Sequence, residues 1–224
     1  MERRRFPLPT FTNREDLLLS IAANDDDTGQ PIDLAGITLA PLYSNGFTGS
    51  NWMVTMGMVV SPSTTTLTIP GYPITNQLLA VALVINPGLA VPSGQQVEIS
   101  DPTGANTMNG YVTSYNSATG NLVCQIGWSF QFEIRPRRPN EAGQGYVTWY
   151  DFGVQSDEGP ILSAALGTGV YIADVGVVQI NIPEAQFRKL SGTTYVAALT
   201  MTDSVHTRQM FLADLPVLQG FVSI

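Results

Sequence analysis

Short segments in which apolar and polar residues alternate recur along this chain, separated by Gly, Pro, Asn and Asp. Residues 32–34, 37–39, 130–135 and 178–182 follow this period of two, which places successive side chains on opposite faces of a strand. The Asn, Asp, Thr and Gly residues at 24–29 are typical of a turn, because they tolerate left-handed backbone or form Asx turns. The pattern predicts an all-β fold, and specifically a β-sandwich.

Two groups of neighbouring segments predict local antiparallel pairing. Residues 97–100, 110–115 and 121–126 are separated by two turns, which predicts a three-stranded meander. Residues 194–201 and 210–217 flank a polar turn, which predicts a hairpin at the end of the sequence.

Helical patterns are few. Residues 183–190 open with Pro and Glu and are followed by Gly192, which predicts one or two helical turns between strands. Residues 77–85 fit either a strand or a helix, since a short apolar run has no decisive period.

The composition favours a protein that works within an assembly. Charged residues make up 12% of the chain, about half of the roughly 25% that is usual in soluble domains. Hydrophobic residues make up 44%, which is enough for a core. The surface must then be built from neutral polar residues, and such a surface is poorly protected against association. We therefore expect an oligomer whose partners are copies of itself and other proteins.

The sequence predicts neither a membrane partner nor a signal peptide. The longest apolar run, residues 78–85, is far shorter than the roughly 20 residues that span a bilayer. The basic N-terminal segment is not followed by an apolar stretch, which a signal peptide requires.

Six of the ten Lys and Arg residues lie in two clusters on a chain whose net charge is −8. A nucleic-acid interface requires a broad basic surface, so contact with DNA or RNA is disfavoured. Docking on acidic partner surfaces, or simple solvation of the charges, is the favoured interpretation. The clusters are Arg3, Arg4 and Arg5, and Arg135, Arg137 and Arg138.

Catalysis requires polar groups that are held against each other in a pocket. The chain has one His, His206, and one Cys, Cys124, which lie far apart in sequence and cannot form a zinc site. Cys124 lies in an apolar strand segment and is expected to be a small core residue. His206 lies in a polar turn and is expected to be exposed. The sequence predicts no catalytic residue, no metal site and no cofactor, and hence no enzyme.

Acidic turns are the strongest metal candidates, because hard cations prefer several oxygen ligands from one loop. The EF-hand spacing is absent, so a solvated turn is the favoured interpretation and calcium the alternative. The first such turn contains Asp25, Asp26 and Asp27, with Asp33 nearby; the second stretch contains Asp151, Asp157 and Glu158.

An aromatic segment offers a possible surface contact. Tyr146, Trp149 and Tyr150 lie within seven residues of strand-like sequence. Aromatic residues dominate both cores and protein interfaces, which is the favoured interpretation. A sugar-stacking platform is the alternative.

The segment 24–36, NDDDTGQPIDLAG, together with residues 130–135 and 176–199, resembles an immunoglobulin-like domain of tailed-bacteriophage baseplate and tail-fibre proteins. That family reads as a strand, an acidic Gly turn, a P-I-D-L-x-G motif and a later strand ending near I-R. Its closing pattern, G-x-I-x-I-x-I-P followed by L-x-x-G-x-Y, is similar to residues 176–195.

A second resemblance lies inside the first. Residues 65–69, 93–99 and 106–115 are similar to a short β module of phage tail-fibre proteins. Together the resemblances imply an immunoglobulin-like β-sandwich interrupted by a small inserted β domain. The implied boundaries are an N-terminal docking arm at 1–12, a discontinuous sandwich at 13–47 and 128–224, and the inserted module at 48–127. The insertion predicts that the loop after Leu42 lies at one end of the sandwich.

The resemblances imply a structural virion protein of a tailed phage, assembled in the host cytoplasm. The expected role is a tail, baseplate or fibre-attachment subunit that contacts copies of itself, other virion proteins, and through the inserted module a fibre or receptor-binding protein. Three alternatives remain open: a head-surface or neck decoration protein, a carbohydrate-binding receptor-recognition module, and a glycan-cleaving enzyme.

Overall fold

The computed structural model describes residues 6–25, 27–75, 81–136, 160–203 and 205–220. Nearly all regular structure in these residues is β, which confirms the predicted class. The strands, in chain order, are β1 (Phe6–Pro7), β2 (Phe11–Thr12), β3 (Leu17–Ala22), β4 (Ile37–Thr38), β5 (Gly46–Gly49), β6 (Trp52–Met56), β7 (Val59–Ser63), β8 (Leu67–Pro70), β9 (Val81–Val84), β10 (Gln96–Ser100), β11 (Thr107–Asn116), β12 (Asn121–Ile126), β13 (Ser129–Pro136), β14 (Leu162–Leu166), β15 (Gly169–Asp174), β16 (Val177–Ile182), β17 (Thr194–Thr202) and β18 (Thr207–Leu218).

The larger sheet has nine strands in the order β1-β18-β17-β13-β14-β15-β16-β3, with β2 also paired to β18. Its strands come from residues 6–22 and 129–218. Most pairs are antiparallel, but β14 and β15 are parallel, as are β1 and β2 with β18. The immunoglobulin-like arrangement stays a prediction, since these parallel pairs go beyond the antiparallel pairing of that fold.

The second sheet has seven strands in the order β7-β6-β10-β11-β12-β9, with β4 paired to β11. Apart from β4, its strands come from residues 52–126. The predicted meander is confirmed, because β10, β11 and β12 pair antiparallel in succession. A separate two-stranded sheet joins β5 and β8.

Side-chain hydrogen bonds bring the two edges of the second sheet together. The hydroxyl of Ser61, in edge strand β7, accepts a hydrogen bond from the Asn86 amide at 3.0 Å. The Thr65 hydroxyl accepts one from the amide of Val84, in the opposite edge strand β9, also at 3.0 Å. The sheet therefore curls around its own apolar face and leaves its other face outward.

Alternating burial accounts for both sheets. In β13, Phe130, Phe132 and Ile134 are buried, while the residues between them are not. In β6, Trp52, Val54 and Met56 follow the same rule. The buried apolar side chains of the two sheets form one continuous core, in which Cys124 is buried as expected.

The predicted helical turns are confirmed as α1, Glu184–Phe187, which buries Phe187 completely. The predicted final hairpin is confirmed as β17 and β18. The ambiguous run 77–85 contains strand β9 in its described part. The strand predicted at 32–34 is wrong: the Asp33 carboxylate accepts a hydrogen bond from the Gly36 amide at 2.8 Å, and this bond turns the chain.

Residues 6–12 of the predicted N-terminal arm lie along their own sheet. Phe6 pairs with Ala213, and Phe11 pairs with Val217. The described part of the arm therefore covers the β18 edge of the nine-stranded sheet. Arg3, Arg4 and Arg5 lie outside the described residues.

Several backbone hydrogen bonds hold connecting segments against the sheets or against each other. The Asn109 amide donates to the Gly36 carbonyl at 2.7 Å, and the Trp128 amide donates to the Leu34 carbonyl at 3.0 Å. Ile74 and Ile172 exchange two backbone hydrogen bonds, of 2.8 and 3.0 Å. No helix in the described residues is long and apolar enough to cross a membrane.

Candidate interaction surfaces

Strand β3 forms one end of the nine-stranded sheet and pairs with β16 on one side. Within the described ranges no strand pairs with its other side. Leu17 is fully buried, whereas Leu18 is 61% exposed. The strand contains no Pro, no charge and no bulge, which are the features that usually protect an exposed edge from pairing with another chain.

The hydrogen-bond pattern shows which β3 groups face outward. The Ala23 amide donates to the Gly176 carbonyl at 2.7 Å, so Ala23 directs its amide toward β16. Hydrogen-bonding directions alternate along an antiparallel strand. The backbone amides and carbonyls of Leu18, Ser20 and Ala22 therefore point away from the sheet.

The outer face of the second sheet is a second exposed surface. Its large strands, β6, β7 and β9–β12, contain a single charged residue, Glu98. Apolar side chains are exposed on three of them: Met53 at 41%, Val60 at 54% and Val84 at 52%. Scattered apolar residues are ordinary on a protein surface, so this face is notable for its lack of charge rather than for its apolar area.

A cleft of about 150 Å³ lies where the two sheets meet. One wall is the turn that carries Asp33, and another is the β17–β18 loop that carries Asp203. The floor is formed by β10 and β11. Gln96 of β10 lies opposite Tyr111 of β11, and Asn109, two residues before Tyr111, lies on the same face. Trp128, where the chain passes from β12 to β13, completes the lining. We refer to this space as the junction cleft.

The β17–β18 loop is held against the second sheet. At the end of β17, the Thr202 carbonyl accepts a hydrogen bond from the Gln125 side-chain amide of the second sheet at 3.2 Å, and another from the Ser129 hydroxyl of its own sheet at 2.8 Å. The His206 ring lies edge-on to Tyr111, with centroids 6.3 Å apart. The Arg208 guanidinium lies 5.7 Å from the centre of the Trp128 ring.

Asp203 organises this loop and is only 3% exposed. Its carboxylate accepts hydrogen bonds from the amides of Val205 and His206, at 2.8 and 2.5 Å, and contacts the His206 ring at 3.3 Å. Burial acts to raise the pKa of Asp203, but these hydrogen bonds outweigh it and hold the pKa below its usual value. Asp203 is therefore an ionised group whose oxygens its own loop satisfies.

Asp33 differs from Asp203. Loss of surrounding water raises the pKa of the Asp33 carboxyl, and backbone amides, including that of Gly36, oppose this rise. The residue remains exposed overall, so solvent screens much of this effect.

The predicted site residues have different outcomes. Arg135 pairs with Glu133 of its own strand at 2.9 Å, so this guanidinium is engaged within the chain. Arg137, Arg138, Tyr146, Trp149 and Tyr150 lie outside the described residues, as do Asp151, Asp157 and Glu158. The side chain of His206 is 53% exposed, as expected for a turn residue.

The acidic turn is held by its own side chains. The Asp25 carboxylate accepts hydrogen bonds from the amide and hydroxyl of Thr28, both at 2.8 Å. These bonds lower the pKa of Asp25. No group of three or more potential metal ligands occurs among the described residues. Asp26 lies outside the described residues.

Sequence reasoning did not single out the β3 edge or the lining of the junction cleft. The β3 edge had one local signal, a six-residue strand without charge. The cleft had none, because its residues are spread from Asp33 to Asp203.

No family of known proteins, no characterised relative and no solved structure matches this chain.

Proposed function

We propose that this protein is a structural virion subunit of a tailed phage, in the tail, baseplate or fibre attachment. It acts through protein–protein assembly rather than catalysis. The resemblance of segments 24–36 and 176–199 to phage immunoglobulin-like domains motivates the proposal. The observation that carries the assembly role is the outer edge of β3, with which no strand among the described residues pairs.

The proposed contact is antiparallel pairing of β3 with β3 of a second copy. A two-fold axis at Ser20 would place Leu18 opposite Ala22 of the partner, so a large side chain faces a small one. The outward amides and carbonyls of Leu18, Ser20 and Ala22 then form roughly six inter-chain hydrogen bonds. Addition of a strand to an open edge is a common mode of protein recognition.

Solution mass tests this contact. Light scattering on the whole chain is expected to give a dimer or a multiple of it. Ser20→Pro removes an outward amide without removing a bond to β16, and Leu18→Lys places a charge at the edge. Both variants are expected to be monomeric.

Leu218→Lys is the matched control. Leu218 is 58% exposed, close to the 61% of Leu18, but its strand edge is already covered by β2. It is expected to keep the wild-type mass. A monomeric wild type, or β3 variants with unchanged mass, would refute the pairing.

The location in the virion has a separate test. Antibodies raised against the chain would be applied to purified phage particles and viewed by electron microscopy. Label at the tail tip or fibre base supports the proposal. Label on the head or neck supports the decoration-protein alternative, and absence of label from intact and disrupted particles overturns a virion role.

A further inference from the structure

We propose that the junction cleft binds a single neutral pyranose ring of a saccharide. This goes beyond the proposed assembly role and rests on different residues. It also differs from the aromatic segment at 146–150, which sequence analysis offered as a sugar-stacking platform.

Polar groups without partners line the cleft. The side-chain amides of Gln96 and Asn109, the Tyr111 hydroxyl and the Trp128 indole N–H make no hydrogen bond within the described part of the chain. Carboxamides and hydroxyls each offer both a donor and an acceptor, whereas the indole donates only. A sugar hydroxyl also donates and accepts, so it can match each of these groups.

Two aromatic residues accompany the polar groups. Tyr111 and Trp128 combine a large apolar ring with one polar atom. A pyranose has the complementary character, with apolar C–H groups beside its hydroxyls. Binding sites of this kind pair apolar surface with a few placed polar groups.

The charges of the cleft select against acidic ligands. Asp33 and Asp203 both lie in its lining, and Arg208 lies nearby, 5.7 Å from the centre of the Trp128 ring. The two carboxylates outnumber this one cation, and their field disfavours phosphates, sulfates and acidic sugars. Asp203 is already satisfied by Val205 and His206, so it does not require a bound cation. A neutral ligand is neither repelled by the carboxylates nor required to carry a positive charge.

Size limits the ligand to one ring. Sites for drug-sized molecules occupy about 300–1,000 Å³, whereas the junction cleft offers about 150 Å³. A cavity of about this size holds one six-membered ring. The cleft is open to solvent, so a longer glycan could continue outward from the bound residue.

The test is an NMR titration of the whole ¹⁵N-labelled chain with three probes: methyl α-D-glucopyranoside, methyl α-D-galactopyranoside and methyl α-L-rhamnopyranoside. At least one is expected to shift the Trp128 indole and Tyr111 amide signals saturably, with a dissociation constant on the order of 1 mM. Trp128→Phe assigns the indole signal. Tetrahydropyran, which has the ring without hydroxyls, is expected to cause no saturable shift.

Two substitutions remove hydrogen-bonding groups and preserve size, Gln96→Met and Asn109→Leu. Each is expected to weaken binding about 3- to 10-fold, the usual effect of losing one neutral hydrogen bond. Asn121→Leu makes the same change on the exposed side of β12, outside the cleft, and is expected to bind as wild type.

Three results would overturn the proposal. One is that none of the glycosides shifts the cleft signals. Another is that tetrahydropyran shifts them as strongly as the glycosides, which indicates apolar binding only. The last is that Asn109→Leu and Gln96→Met bind as tightly as Asn121→Leu, which places the binding elsewhere on the chain. The oligomeric state of the chain affects none of these readouts, so failure here is distinguishable from failure of the assembly proposal.

Discussion

Replacement of Gly127 by alanine is expected to lower the melting temperature by about 6–12 °C. Gly127 lies where the chain leaves the second sheet for the first, with φ at +62°. A Cβ atom there would lie 2.3 Å from the Ala35 carbonyl oxygen, and that oxygen belongs to backbone that cannot rotate away. The substitution therefore combines a left-handed conformation with a collision between the link that joins the two sheets and the turn at residues 34–35.

The magnitude has two parts. A left-handed conformation costs an ordinary residue about 1 kcal/mol, and displacing packed backbone adds about 2 kcal/mol. For a chain of this size each kcal/mol lowers the melting temperature by about 2–4 °C. Gly104→Ala supplies the control, because Gly104 has φ at +71° but no atom within 4 Å of the added Cβ. It is expected to lose only about 2–4 °C.

Thermal unfolding followed by circular dichroism measures both variants against the wild type. The difference between Gly127→Ala and Gly104→Ala isolates the close approach of Gly127 to the backbone of Ala35, since the backbone conformation is shared. Equal losses for the two variants would refute the reasoning, because they would mean that Ala35 and Gly127 can separate at no cost.

Two further predictions concern buried groups outside the assembly edge. Asp203→Asn is expected to destabilise the fold by about 1–2 kcal/mol at neutral pH, since three contacts to a charged group are weakened. Because the pKa of Asp203 is lowered by folding, its contribution is present above the unfolded value near 4 and is lost as the pH falls through the folded value. Urea unfolding from pH 7 to pH 2 should show the two proteins converging in acid, and a constant difference contradicts the assignment. Burial raises the pKa of the Cys124 thiol to about 12, so Ellman's reagent at pH 8 should react only after unfolding; rapid labelling of the native protein would contradict the placement of Cys124 in the core.

Local patterns in the sequence determined much of the secondary structure. The alternation of Phe130, Phe132 and Ile134 places one face of β13 in the core, and it is readable because a strand has a period of two. The helical turn at Glu184–Phe187 follows from Pro183 and the charges around it. The strand expected at 32–34 failed because one side-chain hydrogen bond, from the Gly36 amide to Asp33, was enough to turn the chain.

Tertiary structure decided which surfaces remain open. Among the described residues, β1 and β2 cover the β18 edge, whereas no strand covers the outer edge of β3. β18 contains charges and a Pro, which β3 lacks, but these local features do not specify which edge is covered, because covering an edge depends on strands that are more than 190 residues apart in sequence. The junction cleft has the same origin. Gln96 and Asn109 meet by pairing of β10 with β11, and Asp33, Trp128 and Asp203 join them only because the two sheets pack together. The sequence by itself determined the strands and their buried faces, since these depend on near neighbours; the open edge and the cleft depend on long-range pairing, which only the folded chain specifies.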